Sequence, residues 1–242
     1  MFLSAATPLD FVVLLPLTGK TMLHRYLTPE EQQRLIKAAS LPADILARRD
    51  AGWLDVLLLS GLRITEFSLI TVGDATNALQ SKYLFIPKER RKGGKTDHRV
   101  FITAPLRAAL KKLITVHCEM AGTDRPLADA PLVLSRQHCG TAMSARAFQL
   151  RFKHWVVVAG LPSDASPHWL RHSRAMNIMR NSEAADPRGI AKEALGHASI
   201  ASTGVYTGVL REELEQALTQ TDASTSRRVS TAALRKDFDK RS

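Results

Sequence analysis

Two short β-like runs in the middle of the chain constrain its fold more than any other feature. Residues 83–87 and 99–103 have strand composition, and residues 88–97 between them contain two adjacent glycines and many charges. This pattern predicts an antiparallel β-hairpin with a charged tip. Helical periodicity fills the chain on both sides, most clearly at residues 47–59, 106–120, 144–159 and 166–181. The sequence therefore predicts a mainly α fold with a small antiparallel β-sheet, in the α+β class.

Local capping chemistry predicts where two of the helices begin. Thr28, Pro29 and Glu31 form a capping-box pattern, with proline at the first helical position. Ser166 and Pro167 repeat the cap-and-proline order, so we expect the Ser166 hydroxyl to accept from amides of the next turn. Two shorter helices are expected at residues 190–196 and 212–218.

The charge balance favours a polyanionic partner. The 242 residues include 34 Lys and Arg against 23 Asp and Glu, a net charge of +11. Such a charge is typical of proteins that neutralise phosphates and release counterions. Because no run reaches the roughly 18 apolar residues of a spanning helix, we expect no membrane partner. The two cysteines, Cys118 and Cys139, make a disulfide framework implausible and favour a reducing, cytoplasmic location.

A phosphate-binding site is expected at the start of the helix that follows Ser166. His168 and Arg171 lie three residues apart, on one face near the helix N-terminus. Exposed amides, a guanidinium fork and an imidazole in that position suit a phosphate group. A buried histidine beside an arginine in a salt bridge would show the same two residues, so the pair alone does not decide between a phosphate site and a structural role.

Three further segments, taken in order, resemble the motifs of a known family. The chain reads G-L-R-I-T-E at residues 61–66, H-W-L-R-H-S at 168–173 and L-G-H at 195–197, and Tyr206 follows nine residues later. This order resembles the tyrosine recombinase (phage integrase) family, whose motifs are G-L-R-x-x-E, H-x-L-R-H-S, L-G-H and a tyrosine. The resemblance covers about residues 26–218. It implies a DNA breaking-rejoining catalytic domain there, preceded by an arm at residues 1–25 and followed by a basic tail at 219–242.

The resemblance also implies a role for each matching residue. Tyr206 would attack a phosphodiester, and Glu66 would hold Arg63 by an ion pair. Lys92 would protonate the leaving oxygen, with Lys95 as the alternative because the register of the hairpin is ambiguous. The full set of implied catalytic residues is Arg63, Lys92, His168, Arg171, His197 and Tyr206. The resemblance implies neither a cofactor nor a metal, because the arginines supply the electrostatic stabilisation.

The implied partner is double-stranded DNA, bound by a homotetramer on two DNA sites, with an accessory DNA-bending or directionality factor as a further partner. Basic residues of the hairpin and of the helix at 144–159 are candidate DNA contacts: Arg90, Arg91, Lys95, Arg146, Arg151 and Lys153. Family members usually carry an additional helical DNA-binding domain before the catalytic one. This chain has only about 25 residues there, a layout similar to the short fimbrial-switch type recombinases.

Three functions remain open on these residues. The first is a site-specific recombinase or integrase that uses a 3′-phosphotyrosine intermediate and a Holliday junction. The second is a catalytically silent DNA-binding regulator, or a decayed integrase, on the same fold. The third is an enzyme like a type IB topoisomerase, which shares the chemistry but relaxes DNA without a partner site.

Overall fold

The structure is a computed structural model that describes residues 26–93, 96–136, 140–184 and 186–196. Within those ranges the predicted fold class is confirmed, since helices surround one two-stranded antiparallel sheet. The elements in chain order are α1 (Pro29–Ser40), α2 (Ile45–Ser60), α3 (Ile64–Phe67), α4 (Val72–Ser81), β1 (Tyr83–Ile86), β2 (His98–Phe101), α5 (Ala104–Ala121), α6 (Ala145–Val158), α7 (Pro167–Asn181) and α8 (Pro187–Leu195).

Helix α2 lies at the centre of the core and contacts α1, α5 and α7. Its residues Trp53, Leu54 and Val56 are completely buried, as expected for a helix covered on several sides. The helix begins earlier than its apolar pattern predicts, because the Asp44 carboxylate caps it by accepting from two backbone N–H groups. It ends at Gly61, whose φ of +68° is the left-handed conformation that favours glycine.

A buried carboxylate, Asp50, joins α2 to α6. Its Oδ1 accepts from the Arg49 guanidinium at 2.8 and 3.1 Å and from the Trp53 indole at 3.0 Å. Its Oδ2 accepts from Arg151 at 2.6 Å and from Trp155 at 2.9 Å. Asp50 is 0% exposed, so these donors replace all of its hydration.

The β-hairpin forms where the sequence predicts it, with slightly shorter strands. Tyr83 pairs with Phe101 and Ile86 pairs with His98. Alternate residues are buried, so one face of the hairpin packs on the core and the other faces outward. The chain leaves β1 through a 3₁₀ turn at Lys88–Arg90, and the Lys88 N–H donates to the Asp97 carboxylate at 2.9 Å across the tip.

The start of α1 has the predicted capping box. The Thr28 hydroxyl accepts from the Glu31 N–H at 3.3 Å, and the Glu31 carboxylate accepts from the Thr28 N–H at 2.9 Å. One residue earlier, the Leu27 N–H donates to the Ser173 hydroxyl at 2.8 Å. This buried bond fixes the beginning of the described chain against α7.

Three local predictions need correction. Helix α4 is absent from the sequence-based assignment, although Thr71 and Asp74 cap it reciprocally. Helix α8 begins at Pro187, after an Asp186 cap, and not at residue 190. Ser166 occupies the N-cap position of α7 as expected, but its side chain makes no capping hydrogen bond, so the proline and the tertiary contacts of α7 define that start.

Several predictions fall outside the described residues. These are the arm at 1–25, the helix at 212–218, the tail at 219–242, and the site residues Lys95, His197 and Tyr206. The proposed domain boundaries likewise stay predictions. Over the ranges that the structure does describe, no helix combines the length and apolar character needed to cross a membrane.

Candidate active site

Arg63 and Glu66 form the compact unit that their spacing predicts. Arg63 is the N-cap residue of α3, so Glu66 lies at its third position and faces back toward the cap. One Glu66 oxygen accepts from the Arg63 N–H at 3.1 Å, and the other accepts from the guanidinium at 2.8 Å. The Glu66 side chain is 1% exposed and that of Arg63 27% exposed. The buried carboxylate therefore orients the arginine from its interior side and leaves part of the Arg63 side chain exposed to solvent.

Arg171 connects the first and third sequence motifs. It is buried on α7, and its guanidinium donates to the Gly61 carbonyl at 2.6 Å and to the Leu195 carbonyl at 2.8 Å. Gly61 ends α2 two residues before Arg63, and Leu195 ends α8 two residues before His197. A single side chain therefore brings segments more than 130 residues apart in sequence to the same place.

His168 lies in the first turn of α7 and is exposed to solvent. Its ring lies edge-on to that of His172, with centroids 4.3 Å apart and an interplanar angle of 85°. One turn further along the helix, Arg171 points into the protein. The two predicted phosphate ligands thus lie at different depths, with the imidazole at the surface and the guanidinium beneath it.

Lys92 and Arg91 are neighbours at the hairpin tip but differ in solvent exposure. Lys92 is exposed, as an acid that must reach a DNA substrate would need to be. The Arg91 side chain is only 9% exposed, and its guanidinium contacts the protein. Nη1 donates to the Thr96 carbonyl at 2.6 Å, Nη2 donates to the Gly196 carbonyl, and Nε lies 3.6 Å from a Glu66 oxygen.

His98 belongs to the same cluster and was missed from the sequence. It occupies an inward position of β2, beside the buried Val100, and this alternation was the available signal. Burial, followed by the positive charge of Arg91, lowers the pKa of His98 to about 4 against the opposing effect of Glu66. The imidazole is therefore neutral at physiological pH. Its Nε2 atom is buried without a hydrogen-bond partner.

Gly196 packs directly against this cluster. Its φ is +62°, and a Cβ atom there would lie 2.6 Å from Arg91 Nη2 and 2.7 Å from His98 Nδ1. Both the backbone conformation and the space therefore require glycine. The turn that leads into His197 is thereby held against the hairpin.

The other candidate DNA contacts lie on the hairpin and on α6. Arg90 makes an ion pair with Asp74 at 2.6 Å, Arg151 bonds Asp50, and Lys153 donates to the Ser163 carbonyl. Arg146 is exposed near the start of α6. Their role in DNA binding stays a prediction. In the part of the chain that the structure describes, no group of three His, Cys, Asp or Glu side chains could hold a metal ion.

A mainly helical domain with one small hairpin, and with these motifs joined through Arg171, has the architecture of a tyrosine recombinase catalytic domain. The chain matches the model of the phage integrase family over residues 25–213 and therefore belongs to that family.

Curated relatives include two bacterial recombinases. Tyrosine recombinase XerC of Ralstonia pickettii (strain 12J) is 32% identical over 198 residues, which cover 75% of this chain and 59% of the relative. Tyrosine recombinase XerD of Brucella abortus biovar 1 (strain 9-941) is 30% identical over 207 residues, covering 82% of this chain and 63% of the relative. The chain thus spans about three fifths of the length of these relatives.

Solved structures share the fold. XerA recombinase superimposes with a TM-score of 0.65 at 22% identity, over 87% of this chain and 67% of that one. XerH bound to its difH substrate gives a TM-score of 0.61 at 22% identity, over 85% of this chain and 55% of that one. A lambda integrase dimer bound to a core site gives 0.54 at 16% identity, over 78% of this chain and 60% of that one.

Proposed function

We propose that this protein is a site-specific DNA recombinase that cleaves and rejoins strands through a 3′-phosphotyrosine at Tyr206. The observation that carries the proposal is the pair of bonds from Arg171 to the Gly61 and Leu195 carbonyls. These bonds hold Gly61, two residues before Arg63, and Leu195, two residues before His197, against Arg171, which supports a single site formed from the three motifs. Family membership over residues 25–213 supports the same reaction class.

The two arginines would bind the non-bridging oxygens of the scissile phosphate. Each guanidinium presents its N–H donors as a planar fork, which suits bidentate contact with a phosphate. Arg63, held from below by Glu66, is fixed before the substrate arrives, so no energy is lost in orienting it. Stabilising the added charge of the transition state in this way requires neither a metal nor a cofactor.

Proton transfer would complete the reaction. His168, exposed at the start of α7, is the proposed general base for the Tyr206 hydroxyl, and His197 is the proposed hydrogen-bond donor to the phosphate. Lys92, or Lys95 in the other register, would protonate the departing 5′ oxygen. Because the energy of the broken bond is kept in the phosphotyrosine, the strand can be joined to a new 5′ hydroxyl through a Holliday junction.

Double-stranded DNA is the proposed substrate, bound by a homotetramer on two sites with an accessory DNA-bending or directionality factor. The net charge of +11 supports a polyanionic partner. Lambda integrase, which shares the fold at 15% identity and a TM-score of 0.53, has been crystallised as a tetramer bound to a Holliday junction. The bacterial relatives and the proposed substrate support a bacterial cytoplasmic location.

The test is covalent capture on DNA. A nicked suicide duplex carrying the recognition site loses its leaving strand after cleavage, so the intermediate accumulates and is seen on a denaturing gel. We expect the wild-type protein to form the adduct and Tyr206→Phe to bind DNA equally well without forming it, because only the hydroxyl is removed. An adduct from the Phe variant would exclude Tyr206 as the nucleophile. A wild-type protein that binds the site without any adduct would indicate a silent regulator.

A further inference from the structure

Arg91 lies where three separate segments of the chain meet. Its guanidinium donates to the Thr96 carbonyl across the hairpin tip and to the Gly196 carbonyl at the end of α8. Its Nε atom is 3.6 Å from the Glu66 oxygen that also accepts from Arg63. One side chain therefore contacts the hairpin loop, the residue before His197 and the carboxylate that holds Arg63.

The Arg91 side chain is largely enclosed, but its contacts differ: the bond to Thr96 lies near the surface, the bond to Gly196 is half-buried, and Nε has no hydrogen-bond partner among the described residues although Glu66 is 3.6 Å away. Only 9% of the Arg91 side chain is exposed, so its charge depends on protein acceptors in place of water. Hydrogen bonds from a charged donor are roughly twice as strong as those between neutral groups. The acceptors lie in different directions, and only the planar fork of arginine can reach them together; a lysine ammonium is a single point of charge.

The contacts of Arg91 affect where the proposed proton donor lies, because the two residues are neighbours in the chain. Lys92 is the next residue and points outward into solvent. Consecutive Cα atoms are about 3.8 Å apart, so fixing the side chain of Arg91 fixes the backbone from which Lys92 extends. A free hairpin tip would let a proton donor sample many positions, only some of which lie near a leaving oxygen.

We propose that Arg91 is a positioning residue that sets the loop carrying the general acid against Arg63 and against the segment that leads into His197. This inference rests on the proposed recombinase function and replaces the sequence-based expectation that Arg91 contacts DNA. The Arg91 guanidinium donates to the Thr96 and Gly196 carbonyls and lies beside the Glu66 carboxylate, so these protein groups occupy the positions that DNA phosphates would take.

The test compares Arg91→Ala and Arg91→Lys with Arg99→Ala, a control that removes an exposed arginine of the same hairpin from β2. Each variant is mixed at saturating concentration with two suicide duplexes, one normal and one with sulfur in place of the bridging 5′ oxygen. A thiolate departs without an acid, so the sulfur substrate bypasses the group that Arg91 positions. It does so whether that acid is Lys92 or Lys95.

We expect Arg91→Ala to form adduct about 10–100 times more slowly on the normal duplex, the cost of misplacing a reacting group by about 1 Å. DNA affinity should stay within about twofold, and the sulfur substrate should restore most of the rate. Arg91→Lys should show a smaller defect of the same kind, because it retains the charge without the fork. Arg99→Ala should match the wild-type protein on both substrates.

Three results would overturn the inference: an unchanged rate on the normal duplex, a defect fully explained by weaker DNA binding, or a defect that sulfur leaves in place. Hydrogen exchange on the DNA-free protein supplies a readout independent of activity. Losing the guanidinium should accelerate exchange of the amides near Thr96 and Gly196 by about tenfold, with α2 unaffected. If the wild-type protein forms no adduct, the recombinase proposal fails, and unchanged exchange in Arg91→Ala would independently reject the positioning role.

Discussion

In the part of the chain that the structure describes, two buried carboxylates each contact two arginines, and the two clusters differ in which segments they bring together. Asp50, which is 0% exposed, is surrounded by Arg49, Arg151 and two indole N–H groups. Glu66, which is 1% exposed, binds Arg63 and Arg91, and Arg63 remains 27% exposed. The first cluster joins α2 to α6, whereas the second lies where the hairpin, α3 and the end of α8 meet.

The difference shows that composition and burial alone do not identify an active site. Both clusters combine a buried acid with arginines, and Asp50 has the larger number of hydrogen-bond donors. Each cluster keeps one arginine partly exposed, Arg63 at 27% and Arg151 at 33%. The Glu66 cluster differs because Arg91 also bonds Gly196 at the end of α8, so that three separate segments meet there. What distinguishes the candidate site is the meeting of segments that carry several motif residues, rather than the exposure of one guanidinium.

The largest effect is expected from an isosteric change at Asp50. Asp50→Asn leaves Arg49 without its buried counter-charge and turns an amide N–H toward donors, which should lower the free energy of unfolding by about 3–5 kcal/mol. Urea denaturation followed by circular dichroism measures this loss. Asp164→Asn, at an exposed position, is the control and should change stability by no more than about 0.5 kcal/mol. A loss below about 1 kcal/mol at Asp50 would remove the distinction between the clusters.

Acid should weaken the Glu66 cluster through His98. The pKa of His98 is about 4 in the folded protein, below its ordinary value of 6.5, so the folded state favours the neutral ring. This contribution is complete above pH 6.5 and is lost as the pH falls toward 4, up to about 3 kcal/mol at 1.36 kcal/mol per pKa unit. Protonation would place a positive charge beside Arg91 and Arg171, with Glu66 as the only opposing charge among the charged groups that act on His98.

Urea unfolding midpoints across that pH range measure the effect, and His98→Asn provides the comparison. The variant lacks a titrating ring, so its stability should vary less between pH 6.5 and 4 than that of the wild-type protein. Parallel pH curves for the two proteins would show that His98 does not carry the dependence.

A substitution at Glu66 is expected to change stability least of the three. Its main effect should be on the rate of adduct formation. Glu66→Gln should cost only about 1–2 kcal/mol of folding free energy, because the partly exposed Arg63 can regain water and Arg91 keeps its two carbonyl acceptors. Adduct formation at saturating DNA should fall about tenfold or more, since Arg63 is no longer oriented before binding. Both quantities are measured on the same preparation. A stability loss equal to that of Asp50→Asn would show that Glu66 supports the fold as much as Asp50 does.

The features predicted correctly from the sequence are those that depend on residues close together in the chain. The capping box at Thr28, the hairpin and the pairing of Arg63 with Glu66 each involve groups at most a few positions apart, so their geometry follows from local bonding rules. The α4 helix carries a similar reciprocal cap at Thr71 and Asp74, and its omission was an error of assignment rather than a limit of the signal.

Long-range contacts explain what the sequence did not reveal. Arg91 lies among charged residues of a loop, a composition typical of a solvated tip, yet Glu66 and Gly196 turn it inward. His98 is buried because α8 packs against β2. The depth of Arg171 likewise depends on carbonyls that end two other helices. None of these partners is near its residue in sequence, so local patterns could not assign them.

The two hydrogen bonds of Arg171 to backbone carbonyls matter for the choice of mutant alleles. Any allele that changes Arg171 leaves the buried carbonyls of Gly61 and Leu195 without their donor, so a loss-of-function phenotype would confound misfolding with lost chemistry. A laboratory seeking an inert protein that still assembles on DNA, for instance as a dominant-negative allele, should therefore leave this position intact. Tyr206→Phe, which deletes one hydroxyl, is the better null allele for that purpose.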